Sequence, residues 1–228
     1  DAGFEVVLVD RDDPDYLSSE AFDGRASALS HGTRLILEKA KIWEYFDGNA
    51  QPIWQIRVSD EGSNLFLHFN HNELGNQPLG YMVENRHIRK ALYSSLTTRH
   101  RIRLIAPSFV TNIKRGIGFA RASLDCGQNI SSNLVVAADG AKSAIRTNAK
   151  IRTQTKDYHQ AALVVTVEHE HSHRGIAHER FRPPGPFAIL PLKGNLSSLV
   201  WVESKKLGAY LFGLNEDAFN YEIARRFG

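Results

Sequence analysis

The stretch Leu134-Val-Val-Ala-Ala-Asp139-Gly140-Ala-Lys-Ser143-Ala-Ile-Arg146 constrains this chain more than any other. The apolar run Leu134–Ala138 reads as a buried parallel strand, and a helix begins within Ala141–Thr147. Between them Asp139-Gly140 makes a strand-to-helix corner. Gly140 permits close backbone approach, and the N-terminus of the following helix favours a phosphate or another polar ligand. The same residues also suit an Asp-Gly turn in which Ser143 helps to cap the helix, and spacing alone leaves both readings open.

A second segment points the same way. Phe4–Val9 is an apolar run, interrupted by Glu5, that ends in Asp10-Arg11 and an Asp-Asp-Pro-Asp turn. Ala2-Gly3 resembles a helix C-terminus, with Gly as the left-handed cap. This predicts the second strand of a βαβ unit, with a strand and a helix expected ahead of residue 1. An acid at the end of such a strand can accept hydrogen bonds from ribose hydroxyls, a role open to Asp10. Strands also end in charges for solubility alone.

Between these segments, Ser27–Phe46 has helical spacing through Ala28, Leu35, Ile36, Ala40, Trp43 and Phe46. Residues 53–58 and 64–69 alternate apolar with polar around Asp60-Glu61-Gly62, which predicts a hairpin. His87–Leu96 reads as a helix, Arg101–Ala106 as a strand, and 108–126 as antiparallel strands joined near Arg115-Gly116. Beyond Asp157, strands are predicted over Gln160–His169, Ile176–Arg182, Phe187–Leu192 and Leu199–Glu203, with an amphipathic helix over Ala218–Phe227. The fold class is therefore α/β, an incomplete Rossmann-like layer interleaved with an antiparallel sheet.

Composition removes several classes of function. A formal charge of +3 without a Lys/Arg block argues against nucleic-acid binding. One cysteine, Cys126, excludes an intrachain disulfide and any multi-cysteine metal site. The longest apolar runs fall far short of the ~20 residues that span a bilayer. His169, His171 and His173 would share one face of a strand as a metal patch. The interleaved Glu168, Glu170, Ser172 and Arg174 and the following Gly175 favour a solvated strand end or turn, so no metal is expected.

The Leu134–Arg146 string resembles the Asp-Gly motif of the single-component flavoprotein hydroxylases, the family that includes para-hydroxybenzoate hydroxylase. Other segments resemble its ubiquinone-biosynthesis branch: Asp23-Gly-Arg25-Ala-Ser-Ala-Leu-Ser30, Gly80-Tyr-Met-Val-Glu-Asn85-Arg-His-Ile-Arg89, Ala177-His-Glu-Arg-Phe181 and Gly185-Pro-Phe-Ala-Ile-Leu-Pro-Leu192. They follow one another in the branch's order along the whole chain.

The resemblance implies FAD as cofactor, NAD(P)H as transient reductant and a prenylated phenol, hydroxylated with O2, as substrate. It implies that Asp10 binds the adenosine ribose, Arg25 the FAD diphosphate or ribityl region, and Asn85 the ribityl chain or flavin ring. Asp139 and Gly140 would contact the diphosphate, while Arg146 would be structural or assist nicotinamide-cofactor docking. Phe181, Phe187, Leu190 and Pro191 would line the wall facing flavin and substrate, although alternating apolar residues on strands are commonly core. No metal or covalent nucleophile is required.

Residues 1–50 and 81–157 would form the FAD-binding domain, and 51–80 with 158–228 part of a substrate domain. The family's Gly-x-Gly-x-x-Gly loop and its C-terminal Gly-Asp motif are not in the sequence. A fragment from the middle of the enzyme is thus expected, binding FAD weakly or not at all and inactive alone. A cytoplasmic protein with peripheral contact at the inner membrane, or with a ubiquinone-biosynthesis complex, follows from the lipid nature of the substrate. Two alternatives are a different FAD-dependent oxidoreductase with the same Asp-Gly motif and a non-catalytic interaction module.

Overall fold

A computed structural model describes residues 3–63 and 65–227. Ala2, part of the helix terminus expected ahead of the first strand, and Asn64, at the start of the second hairpin arm, lie outside the described residues. In chain order the first elements are β1 (Val6–Val9), α1 (Pro14–Ser18), β2 (Ala26–Ser30), α2 (His31–Lys39), β3 (Gln51–Ile53), β4 (Gln55–Asp60) and β5 (Phe66–Asn70). Next come β6 (Gly80–Glu84), α3 (Asn85–Thr97), β7 (Ile102–Ile105), β8 (Val110–Gly116), β9 (Phe119–Leu124), β10 (Asn129–Ser132) and α4 (Ala144–Asn148). The chain continues through β11 (Gln160–Glu168), β12 (Ile176–Phe181), β13 (Phe187–Pro191), β14 (Leu196–Ser204), α5 (Lys205–Phe212) and α6 (Glu216–Phe227).

Two compact units divide these elements. One holds the chain up to Ser19 together with Leu92–Lys156; the other holds Glu20–Ala91 and everything from Asp157 onward. In the first unit β1 pairs in parallel with β7, Val6 opposite Ile102 through Val9 opposite Ile105. Beside this pair, β8, β9 and β10 form an antiparallel sheet in the order β10–β9–β8. The expected strand over Leu134–Ala138 does not form. The run enters no ladder among the described residues, so its apolar side chains meet water, Leu134 77% and Val136 76% exposed. Strand propensity does not make a strand without a partner edge to bond.

The second unit stacks two sheets. The smaller has the order β2–β6–β3, the larger β11–β14–β13–β12–β4–β5. All its neighbours are antiparallel except β12 and β4, which run parallel. Successive strand residues project to opposite faces. In β6 both faces are covered, so Met82 joins a core with Ile53, Ala177 and Leu192, while Val83 joins one with Trp43, Phe46, Tyr81 and Ala91. A third core seats α5 and α6 on the larger sheet through Phe187, Leu199, Trp201 and Leu211.

Two sequence expectations change here. Ser27–Phe46 is not one helix, because Ala26–Ser30 ladders against β6. The Ser30 hydroxyl then accepts the Thr33 N–H at 3.1 Å and opens α2. A cross-strand ladder overrides helical spacing here. α5 had no counterpart in the expected pattern. It lies close over β11, where a Cβ on Gly208 would come within 2.9 Å of the Ala161 methyl.

Candidate functional site

In the first unit, the Asp-Gly corner is held by its own side chains. Ser143 Oγ donates to Asp139 Oδ1 at 2.5 Å, and the Ile145 N–H donates to Asp139 Oδ2 at 3.2 Å. Ser143 Oγ in turn accepts the Arg146 N–H at 2.9 Å, which makes Ser143 the N-cap of α4. Both carboxylate oxygens are therefore engaged, and the Ser143 hydrogen bond holds the Asp139 carboxyl below its usual range. Arg146 folds back to donate to the Ala141 carbonyl at 2.7 Å. Gly140 has φ +85° and no heavy atom within 4 Å of where a Cβ would stand. Its flank is open for a ligand to approach the backbone.

Asp10 ends β1, its N–H donating to Ile105 O at 3.1 Å and its carbonyl accepting from Ser108 N at 2.7 Å. Its Oδ1 accepts the Asp12 N–H at 3.0 Å. The carboxylate thus stands at a strand end, fixed through one oxygen.

In the second unit the structure brings Arg25 and Asn85 together. β2 and β6 pair Ala26 with Glu84, and the Asn85 N–H donates to the Arg25 carbonyl at 2.9 Å. Ser27 Oγ donates to Asn85 Oδ1 at 2.7 Å, which orients the amide and directs its NH2 donors elsewhere. Arg25 forks onto Asp23, Nη2 to Oδ2 at 2.7 Å, while its side chain stays largely exposed. Burial raises the Asp23 pKa, but the hydrogen bonds and charge of Arg25 outweigh it and hold the carboxyl below its usual range. Sequence reasoning missed Ser27 as the residue that sets Asn85. Its side chain points at β6 only once the β2 ladder is known.

Phe181, Phe187, Leu190 and Pro191 divide between the two faces of the larger sheet. Arg180 is opposite Phe187 and Glu179 opposite Ala188, so Phe181 and Leu190 share one face and Phe187 and Pro191 the other. Phe187 is 2% exposed, its ring edge-on to Trp201 with centroids 5.6 Å apart. A groove of about 340 Å³ on the Phe187 face is lined by Arg57, Ser59, Phe66, His178 and Arg180, with Glu179 bordering it between His178 and Arg180. Phe181 is 51% exposed on the opposite face.

The three histidines do not share a strand face, because β11 stops at Glu168. His173 donates from Nε2 to Leu192 O at 2.7 Å and accepts the Gly175 N–H on Nδ1 at 2.9 Å. His169 Nδ1 lies 2.5 Å from His171 O. Among the described residues no group of three His, Cys, Asp or Glu is arranged for a metal. No described helix is long and apolar enough to cross a membrane.

Each unit thus presents its own set of polar groups. In the first unit these are the Asp10 carboxylate at a strand end and the open flank of Gly140; in the second they are the exposed Arg25 guanidinium and the half-buried Asn85 amide. The FAD binding domain family matches residues 1–208, and the chain belongs to it. Within that family, the chain is 45% identical over 99% of its length to the ubiquinone hydroxylase UbiL of Rhodospirillum rubrum, of which it covers 52%. It is 29% identical over 99% of its length to the 3-demethoxyubiquinol 3-hydroxylase of Escherichia coli, covering 58% of it. The chain thus spans about half the length of the curated relatives it matches.

Two solved structures share the fold. PqsL of P. aeruginosa in complex with 2-aminobenzoylacetate superposes with a TM-score of 0.76 at 16% identity, over 92% of this chain and 57% of that one. A variant of Klebsiella pneumoniae HpxO complexed with FAD gives 0.67 at 14% identity, over 98% and 56%. The mixed α/β architecture with several sheets is also that of PqsL described as a probable FAD-dependent monooxygenase.

Proposed function

We propose that this chain is part of a flavoprotein monooxygenase that hydroxylates the aromatic ring of a prenylated phenol in ubiquinone biosynthesis. The observation that carries this reading is the 45% identity to a ubiquinone hydroxylase along nearly the whole chain. Residues 1–50 and 81–157 would contribute to the FAD-binding domain, and 51–80 with 158–228 to the substrate domain.

Asp10 would take the adenosine ribose, and Asp139 and Gly140, through their backbone, the diphosphate. Arg25 and Asn85 would bind the diphosphate, ribityl or flavin end. Arg146, folded onto Ala141, would keep the corner in shape rather than reach a ligand. Bound FAD, with NAD(P)H as reductant and O2 as oxidant, supplies the redox chemistry. The chain's own residues bind it, orient the ring and keep water away. Phe181 is the best placed of the four candidate wall residues, because Phe187 and Pro191 are buried and Leu190 packs against the core of Ile53 and Met82. A lipid substrate further suggests peripheral contact with a membrane surface or with partner enzymes.

The full-length protein tests this directly. It should purify with flavin absorbance and, given NAD(P)H and O2, add one oxygen to a short-chain prenyl phenol, read by mass spectrometry. Purified protein without flavin, or NAD(P)H oxidation with no oxygenated product, would count against the proposal.

A further inference from the structure

Each strand of the larger sheet contributes one residue to a single row: Val164, Val200, Ala188, Glu179, Val58 and Leu67 are successive cross-strand partners. Directly opposed residues project to the same face. One carboxyl therefore stands in a row that is otherwise aliphatic. Arg57, His178 and Arg180 alternate to the other face, and the Arg57 charge acts on His178 but not on Glu179. Among the described residues no hydrogen bond or ion pair reaches the Glu179 carboxyl, and partial burial alone pushes its pKa up.

The neighbouring row, Ile56, Ala177 and Leu190, is covered by Ile53 and Met82 of the smaller sheet. The Glu179 row is the first beyond that cover. Leu67, Val164 and Phe181 remain exposed along this face, and Ala26, next to Arg25, packs against the same cover. A molecule laid on the row gains from apolar contact along both flanks. It also strips water from a carboxylate, which is costly unless the molecule brings a donor. A second carboxylate there would meet like charge in a poorly screened setting.

We propose that Glu179 accepts a hydrogen bond from the hydroxyl of an uncharged, chain-bearing phenol seated on this row, and that it selects against phenols carrying a carboxylate. This rests on the hydroxylase reading above and names the part of the substrate that the sheet recognises. The sequence signal was slight: a single acid in Ile-Ala-His-Glu-Arg-Phe looks like any polar position of an alternating strand until the register is known.

Calorimetric titration of the full-length protein tests it, with wild type, Glu179→Gln and Glu179→Leu against 2-geranylphenol, its methyl ether, its ring-carboxylated analogue and geranylamine. Wild type should bind the phenol about tenfold or more tightly than the ether. Glu179→Leu should lose that preference. Glu179→Gln, which keeps an acceptor, should retain most of it and gain about tenfold for the carboxylated analogue. If Glu179→Leu does not fold, the Glu179→Gln result with the carboxylated analogue decides. An unchanged preference in Glu179→Leu, unchanged rejection of the carboxylate in Glu179→Gln, failure of wild type to bind the phenol, or tighter binding of geranylamine than of the phenol would overturn the assignment. Flavin absorbance of the same samples reports separately on the hydroxylase reading. A flavin-free protein that keeps the Glu179-dependent preference would count against that reading alone, and a flavin-replete one without the preference against Glu179 alone.

Discussion

Met82 and Val83 are adjacent in β6 and belong to different hydrophobic cores, at 1% and 0% exposure. Strand alternation sends one side chain toward the larger sheet and the other toward Trp43 and α3. Met82→Ala should cost about 2–5 kcal/mol and Val83→Ala roughly 2 kcal/mol, each through the cavity left behind. Urea denaturation measures both. A loss below about 0.5 kcal/mol at either position, the scale of a surface change, would contradict burial of β6 on two sides.

Ser143 caps α4 and donates to Asp139. Ser143→Ala should cost about 1 kcal/mol, the usual value of a lost N-cap. It should also let the Asp139 carboxyl titrate closer to its ordinary range, since that hydrogen bond is the main cause of its depression. An NMR titration of the Asp139 carboxyl carbon in wild type and variant reads this. An unmoved midpoint would show that Ile145 and its neighbours hold the carboxylate without Ser143.

Ser27 orients Asn85 through a 2.7 Å hydrogen bond. On the proposed function, Ser27→Ala should weaken flavin binding by the full-length protein severalfold while costing only about 1 kcal/mol of stability. Ser27→Thr should restore affinity. Flavin fluorescence quenching and thermal melting separate the two effects, and equal flavin affinity in Ser27→Ala would remove Asn85 from the site.

His87 and His178 both sit below the usual imidazole value of 6.5, chiefly through burial. Glu84 partly offsets this at His87, and Arg57 adds to it at His178. The folded state therefore binds a proton less readily than the unfolded state at these positions. Their contribution is complete above about pH 6.5 and is lost as pH falls from there toward the folded values. The depressed carboxyls of Asp23 and Asp139 act only below their usual 3.8. Tm should fall between pH 7.5 and 5, and less steeply in His178→Gln. Glu179, whose pKa burial raises, acts with the opposite sign, so the variant decides: an unchanged slope in His178→Gln would refute the assignment.

Local pattern made much of this fold legible. The β4–β5 hairpin, α3, the β8–β9 pair and β11 to β14 follow from alternation and helical spacing in windows of ten residues or fewer. Elements decided by a distant partner were not. Ala26–Ser30 looks helical until Ala28 is seen opposite Met82, and Leu134–Ala138 looks like a buried strand although nothing among the described residues ladders with it. The candidate site divides in the same way. Asp10 and Asn85 stand out by residue type at an element's end, and Asp139-Gly140 by its place in the run Leu134–Arg146. Ser27 and Glu179 take their meaning from cross-strand register, and register does not appear in a one-dimensional pattern.

The single parallel junction of the larger sheet joins Gln55 to Ile176, so β4 and β5 leave the ribosome long before β12 exists. At about 5–20 residues per second of synthesis, that delay is on the order of 6 to 24 seconds. Through it β4 offers a free backbone edge, and the hairpin's other arm carries Leu65, Phe66, Leu67 and Phe69, all still exposed in the folded chain. Such an edge invites pairing with other chains. The nascent polypeptide is therefore vulnerable at the strand that later flanks Glu179, and a chaperone that holds this hairpin through the delay should protect it.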